Sequence, residues 1–487
     1  MTDAARKPKI ALWLWVCLAS TISLACTRQE ASQDSATRPA SQSDSALPMP
    51  FGRHTDDLEG MLQRQNIRAL VMINPIGFFY ENGRPMGAIY ETLREFQTFI
   101  NEKFKTGALR VEVTFIPVRP DQAEIALTQG MGDFIANAVV ITPERQQRLA
   151  FTVPIDSNVQ QVIVAGTKFG PLSSLEDLSG KQIYVNPLAA NFENLQQVSR
   201  KLQGAGKRAI VIKSADRNLM DDDLVQMVNA GLIPATVTTA SRARLWSEVL
   251  PHLAIHSDVV IASGEQAAMV LRKDNPRLKY LLDEFLKPRS LGSSFGNTLL
   301  RRYLQNTKWI RNSTELEEMK KFNALRTLFE KYGTEYDFDY LMLIALGYQE
   351  SMLDQSKRNP SGAVGIMQVI PKYAAAPPIN IPNVMTAGPN IQAGVKILRN
   401  IENQYFNDPG IDRLNKTLLS FASYNAGPTR IAELRERARR QGLDPNTWFD
   451  NVELMVAKSV GRETVIYVGN VYKYYIAYKL AAQEGKL

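Results

Sequence analysis

Tyr340-Leu-Met-Leu-Ile-Ala-Leu-Gly-Tyr-Gln-Glu350-Ser351 is a nearly all-apolar run that ends in one acid, and Ser361-Gly-Ala-Val-Gly-Ile-Met-Gln-Val-Ile-Pro371 follows shortly after. A helix that is apolar all round is buried, so its last turn delivers Glu350 to the edge of a core. Low-dielectric surroundings disfavour the carboxylate, and so does the negative end of a helix dipole. Both push the acidity of Glu350 toward a group still protonated near neutral pH, which is what glycosidic-bond cleavage needs. The competing reading is a helix-end Glu paired with a Lys or Arg.

Working outward, 487 residues suffice for two to four domains at about 150 residues each. The chain carries 57 Lys+Arg against 49 Asp+Glu, a mild basic excess that fits an anionic polymer as partner. It has no dense basic run, so nucleic acid is not an expected partner. The histidines are His54, His252 and His256, and none adjoins a carboxylate cluster. The cysteines are Cys17 and Cys26, with no zinc spacing. No metal site, no cofactor and no Ser-His-Asp triad is expected.

Arg6, Lys7 and Lys9 precede an apolar run from Ile10 to Ala25 with the layout of a secretory signal. It ends Ile22-Ser-Leu-Ala-Cys26, which resembles a bacterial lipobox, with Ser23 where Leu is usual. The resemblance implies a signal peptide over 1–25, lipidation of Cys26, and, with Thr27 following, an outer-membrane anchor facing the periplasm. Residues 26–55 are rich in Ser, Gln, Asp, Ala, Thr and Pro and read as a disordered tether.

From 56 to 303, short apolar runs alternate with helical stretches. Strands are expected at Ile67–Ile73, Val111–Pro117, Asp133–Val140, Gln161–Ala165, Gln182–Val185, Ala209–Ile212, Ala235–Val237 and Val259–Ala262. Helices are expected at Ala88–Lys103, Asp121–Gln129 and Met220–Ala230. This alternation implies parallel sheets with helices on both faces, and the length suits two lobes. No GxGxxG follows the first strand, which argues against a dinucleotide fold. Glu81-Asn-Gly-Arg-Pro-Met-Gly87, Gly130-Met-Gly-Asp-Phe-Ile-Ala136 and Ile141-Thr-Pro-Glu-Arg-Gln-Gln-Arg148 resemble the amino-acid branch of the type 2 periplasmic solute-binding proteins. The resemblance implies a bilobal α/β module closing over a ligand, with Arg145 gripping the ligand's carboxylate; a surface salt bridge is the alternative. Val140 stands where a ligand-binding hydroxyl is usual. A free amino acid is therefore a poor fit; the alternatives are another ligand, such as a muropeptide or stem peptide of the cell wall, or a scaffold role.

Residues 304–322 read as a helical connector, and 323–487 as mainly α: Phe322–Tyr332, Phe338–Glu350, Ile391–Phe406, Asp412–Ser423, Arg430–Gln441 and Glu463–Gln483. Gln349-Glu-Ser351, Gly362-Ala-Val-Gly-Ile-Met-Gln-Val-Ile-Pro371, Ala422-Ser-Tyr-Asn-Ala-Gly-Pro428 and Glu463-Thr-Val-Ile-Tyr-Val468 resemble, in order, the four motifs of the soluble-lytic-transglycosylase, lysozyme-like domain. With the preceding module and the lipobox, nearly the whole chain is similar to the membrane-bound lytic murein transglycosylase F family. A multidomain protein is thus expected, a bilobal periplasmic-binding-protein-like module followed by a lysozyme-like domain.

The resemblance implies a lyase acting on peptidoglycan glycan strands. Glu350 protonates the oxygen between N-acetylmuramic acid and N-acetylglucosamine. The same residue then deprotonates the muramic C6 hydroxyl, which closes a 1,6-anhydro ring without water. Asp354 reads as a solvated loop acid and Glu463 as a helix-start residue, which leaves one committed carboxyl. By position, Tyr467 orients Glu350, although Tyr467, Val471, Tyr474 and Tyr478 also form a helical stripe of the kind that fills cores. Ser351, Gln368 and Asn425 offer polar contacts to sugars, and Met367 and Tyr424 offer apolar walls; each has an alternative in loop bonding or core packing. The rival functions are a lysozyme-like hydrolase, which needs a second carboxylate and a water, and a non-catalytic cell-wall peptide receptor.

Overall fold

The computed structural model describes residues 52–289 and 313–487, apart from 75, 82–83, 120–121, 188 and 486. Cys26, the leader over 1–25, most of the tether and residues 304–312 of the connector lie outside the described residues.

The first lobe is built on β1 (Asn66–Val71), whose side chains from Ile67 on are all buried. That uniform burial is the signature of a strand covered on both faces. β1 pairs in parallel with β4 (Glu112–Pro117) and with β5 (Phe134–Val140). The short strands β2 (Phe79–Glu81) and β3 (Arg84–Met86) form a separate antiparallel pair. Its helices are α1 (Leu58–Gln63), α2 (Ala88–Lys103), α3 (Ala123–Thr128) and α4 (Pro143–Arg148), the last capped by the Thr142 side chain. The short β6 (Leu149–Phe151) follows.

Two long strands join this lobe to the second. β7 (Asp156–Gly166) runs antiparallel to β11 (Leu253–Arg272), which is 20 residues long. β11 pairs with β5 near its end and with β7 from its start, with register shifts between His256 and Ala267. The second lobe contains β8 (Gln182–Val185), β9 (Val211–Ser214) and β10 (Ala235–Thr239), parallel to one another. α5 (Ala190–Gly204), α6 (Asp221–Asn229) and α7 (Ala240–Ser247) cover it, and α8 (Pro276–Leu286) returns to the first lobe. The sheet order is β4-β1-β5-β11-β7-β10-β8-β9, with β6 on β11. The expectation of parallel sheets therefore needs correction: β4-β1-β5 and β10-β8-β9 are parallel, but β5–β11, β6–β11, β11–β7, β7–β10 and the separate pair β2–β3 are antiparallel. The two connecting strands cross between lobes, and a strand that leaves one lobe and a strand that returns to it must run in opposite directions.

The C-terminal module is helical. α9 (Leu316–Glu335) passes through the expected boundary between 322 and 323, with Phe322 fully buried, so the described end of the connector is already part of this module. α10 (Tyr340–Ser351), α11 (Pro371–Ala375), α12 (Ala387–Tyr405), α13 (Arg413–Ala426), α14 (Pro428–Arg440), α15 (Glu453–Ser459) and α16 (Arg462–Gln483) follow. α10 is the centre, with Leu343, Ile344, Ala345 and Leu346 completely buried. Among the described residues no helix is long and apolar enough to cross a membrane. The described parts of both modules cluster in one compact unit.

Candidate active site

α10 and α16 run antiparallel and are fastened at both ends. At its start, the Asp339 side chain caps α10 by accepting from the Leu341 N–H at 2.9 Å, and also accepts from the Tyr475 hydroxyl of α16 at 3.0 Å. Midway, Tyr348 and Tyr474 meet edge to face at 4.8 Å. At its end, the Tyr467 hydroxyl donates to Glu350 Oε1. The stripe Tyr467, Val471, Tyr474 and Tyr478 is core, as its spacing implies, and Tyr467 is also the residue that orients Glu350. Both expectations for that residue meet in one side chain.

α10 stops abruptly. Met352 and Leu353 both adopt left-handed backbone, and the Met352 N–H closes on the Tyr348 carbonyl at 2.8 Å. Gly347 allows the close approach of the following loop, since a Cβ there would stand 3.1 Å from Ile366 and 3.2 Å from Phe329. Glu350 is consequently held on the last turn, part-buried, with one edge toward solvent. Burial raises its pKa to about 7, against a smaller lowering by the Tyr467 hydrogen bond. No ion pair involving Glu350 is found among the described residues, so the helix-end salt bridge is not the arrangement adopted.

A raised carboxyl is not in itself diagnostic here. Glu402 is also pushed up to about 7 and Glu453 to about 8, both chiefly by burial. Glu402, however, is paired with Arg399 at 2.9 Å, and Glu453 accepts from the Asp450 backbone N–H at 3.1 Å. Glu350 is distinguished by what surrounds it. Two phenols flank it closely enough that its charge holds both Tyr424 and Tyr467 protonated, after burial as the main cause. Asp354 sits in a loop where the Ser356 N–H and hydroxyl donate to it at 2.8 and 2.7 Å and hold its pKa below the usual range. Glu463 is exposed at the start of α16. Neither resembles a buried partner acid.

The loop from Gly362 to Val369 is stapled rather than free. Asn390, fully buried on α12, accepts from the Met367 N–H at 2.8 Å and donates to the carbonyls of Val364 and Val384 at 2.9 and 3.1 Å. Gly365 adopts φ +78°, and a Cβ there would meet Asn390 Nδ2 at 2.4 Å. Asn390 was not singled out from sequence. The available signal was an amide on the buried face of an amphipathic helix, which needs loop backbone to satisfy it.

The other expected site residues divide. Tyr424 donates to the Met367 carbonyl at 2.8 Å and stands beside Glu350. Gln368 has left-handed backbone, its Nε2 bonds the Gly365 carbonyl at 2.8 Å, and its Oε1 has no hydrogen-bond partner among the described residues. Asn425 is exposed, with Oδ1 accepting from the Thr464 hydroxyl at 2.7 Å, which leaves its NH₂ outward. Ser351 requires correction: it is 2% exposed, its hydroxyl donates to the Ile366 carbonyl at 2.9 Å, and it accepts from the Asp354 N–H at 3.1 Å. It is a strut between α10 and the loop rather than a sugar contact, because a hydroxyl on the inner face of a buried helix end has only backbone to bond. Met367 is likewise wholly buried against Gly394, where a Cβ would stand 2.7 Å from its own Cβ, so its side chain is core and not a groove wall. Arg145 is the third correction. Its Nε lies 2.8 Å from Glu124 Oε1 and its Nη1 donates to the Val140 carbonyl at 3.2 Å, and it is not among the residues that line the interlobe cleft. The salt-bridge alternative holds there, because Glu124 on α3 is within its reach.

A model of the transglycosylase SLT domain matches residues 327–446, and a model of the bacterial extracellular solute-binding proteins, family 3, matches residues 68–291. A membrane-bound lytic murein transglycosylase F of Idiomarina loihiensis is 24% identical and aligns over 99% of this chain and 100% of its own. Over nearly its whole length the chain is similar to proteins named membrane-bound lytic murein transglycosylase F, and it carries both an SLT and a solute-binding domain. Proteins so named from Desulfosudis oleivorans and Pseudomonas fluorescens are each 24% identical, covering 87% and 86% of this chain and 92% and 85% of their own. Among solved structures, a mutant of ArgBP from T. maritima is 22% identical, covers 51% of this chain and 99% of its own, and superposes with a TM-score of 0.37. The order of the two domains along the chain is that expected from the motifs, a solute-binding-protein-like α/β module and then the helical SLT region.

Proposed function

We propose that the protein is a peptidoglycan lytic transglycosylase in which Glu350 moves a proton in both directions. The observation that carries this is a single part-buried carboxyl, with its pKa raised to about 7, oriented by Tyr467 and, among the described residues, without a cationic or second acidic partner. As the acid, Glu350 protonates the oxygen that joins N-acetylmuramic acid to N-acetylglucosamine, and that bond breaks. As the carboxylate, it takes the proton from the muramic C6 hydroxyl, whose oxygen closes onto the anomeric carbon as a 1,6-anhydro ring. The proton returns to Glu350, and no water enters. The Asn425 NH₂ is the exposed polar group offered to the sugars, with Gln368 as the further amide of the loop.

The module ahead of it reads as a sensor. Lys473, on the same helix as Tyr467, reaches Asp223 at 2.9 Å and Gln226 at 3.1 Å on α6 of the second lobe, and the Asn218 side chain donates to the Tyr472 hydroxyl at 3.2 Å. A ligand that moved α6 would therefore act on α16, and a muropeptide or stem peptide is the ligand that the activity would release nearby. Cys26 would be the lipid-bearing residue that holds the enzyme at the outer membrane, facing the periplasm.

Digestion of purified sacculi followed by mass spectrometry tests the reading. Wild-type protein is expected to release anhydro-muramyl products, lighter by one water than hydrolysis products, and Glu350→Gln is expected to release none. Reducing-end products would indicate the hydrolase instead. Absence of any cleavage by wild-type protein would indicate the non-catalytic receptor.

A further inference from the structure

The interlobe cleft encloses about 480 Å³ and its charged lining is lopsided. Among the described lining residues, the carboxylates of Asp156, Asp221, Asp222 and Glu265 face the guanidiniums of Arg242 and Arg289. Both guanidiniums are engaged. Arg242 Nε is 3.2 Å from Asp222 Oδ1, and its Nη1 is 3.9 Å from Asp221 Oδ2. Arg289 donates to the Phe285 carbonyl at 2.8 Å and lies 3.4 Å from Glu95. Arg145, the residue expected to clamp a carboxylate, is spent on Glu124 outside this lining.

Three acceptors of the lining, by contrast, lack a partner among the described residues. Thr238 is 1% exposed and Asn191 6%, and both line the cleft. Thr238 Oγ1, Asn191 Oδ1 and Glu265 Oε2 are buried atoms without a hydrogen-bond partner among the described residues. Buried acceptors of this kind are ordinarily satisfied, so their natural complement is a ligand that brings donors. With the surplus of carboxylates, that ligand must also bring positive charge.

We propose that the cleft takes a ligand bearing a primary ammonium group, held against the second-lobe wall by Asp221, Asn191 Oδ1 and Thr238 Oγ1, with Glu265 on β11 completing the negative field. Three donors on one tetrahedral nitrogen suit three acceptors, and a compact ammonium fits where a planar guanidinium is already in place. Burial raises the Asp221 carboxyl and Arg242 opposes that; a bound ammonium would oppose it further. A basic residue of a peptide carries this group, whereas a free amino acid held by its carboxylate finds no unengaged cation in the lining. The assignment rests on the reading that this module binds a ligand, and it names the chemistry by which it does so.

The test uses the full chain and three blocked peptides, acetyl-Ala-Lys-Ala-amide, its Nε-acetylated form and acetyl-Ala-Glu-Ala-amide, in calorimetric titration. The lysyl peptide is expected to bind at least tenfold more tightly than either of the others, and Asp221→Asn to remove that preference while melting as a folded protein. Equal binding of the lysyl and Nε-acetyl peptides, preference for the glutamyl peptide, or no binding of any of the three would overturn the proposal. Sacculus cleavage measured in the same samples separates it from the sensor reading. Binding without any change in cleavage rate contradicts sensing and leaves the ammonium site standing.

Discussion

Glu350 and Asp222 are both carboxyls withdrawn from water, and they are given opposite company. Asp222 accepts from the Trp246 indole N–H at 2.7 Å and faces Arg242 at 3.2 Å. Glu350 receives one phenol hydrogen bond and no cation among the described residues. Ionised groups in a low-dielectric interior require compensation, and where none is supplied the group takes up a proton instead. The catalytic domain thus withholds a cation to make a proton donor, while the cleft between the lobes supplies carboxylates in excess to make a place for charge. Burial is common to both; the partner decides whether a buried acid is a proton donor or one end of an ion pair.

The comparison is broken most forcefully at Glu350 itself. Its pKa is raised to about 7 in the folded protein from an ordinary value of 4.5. The folded state therefore binds the proton more tightly, and stability declines as pH rises from about 4.5 to about 7. Glu350→Gln, which keeps the hydrogen-bond acceptor and removes the charge, should be more stable than wild type above pH 7 by up to about 3 kcal/mol and equal to it in acid. Thermal melting across that range checks this, and a variant less stable than wild type at pH 8 would mean that the carboxylate is compensated after all.

Ser351→Ala removes two backbone contacts from a buried hydroxyl, and should cost roughly 1–3 kcal/mol of stability with KM unchanged. A raised KM at unchanged melting temperature would restore Ser351 as a sugar contact. Tyr467→Phe should lower kcat/KM about tenfold, as loss of one orienting hydrogen bond does. It should also move the alkaline limb of the pH profile upward, because that bond lowers the Glu350 pKa. A merely structural role would leave the limb in place. Arg145→Gln breaks a half-exposed ion pair and should cost under about 1 kcal/mol, with peptide binding unaffected.

The sequence makes some of this legible and hides the rest for identifiable reasons. Helix α10, its terminal acid and the Tyr467 contact follow from an apolar run ending in Glu and from four motifs in order. The two lobes follow from alternating strands and helices, but β7 and β11 are lengthened and antiparallel because they cross between lobes, which local pattern does not record. Ser351 and Met367 sit beside residues of the site in sequence yet face inward, since neighbours on a helix end or tight loop point to different sides. Arg145 was displaced by a partner, Glu124, 21 residues away, which only the fold brings near. Asn390 was missed because its role is to satisfy loop carbonyls that become neighbours only on folding.

The central claim is that one carboxyl serves as acid and then as base, with no water consumed. Digesting sacculi in water enriched in heavy oxygen measures this directly. The account predicts anhydro-muramyl ends that carry none of the label from solvent, with the rate falling as pH rises above about 7. Label incorporated stoichiometrically at the new muramic ends would contradict it.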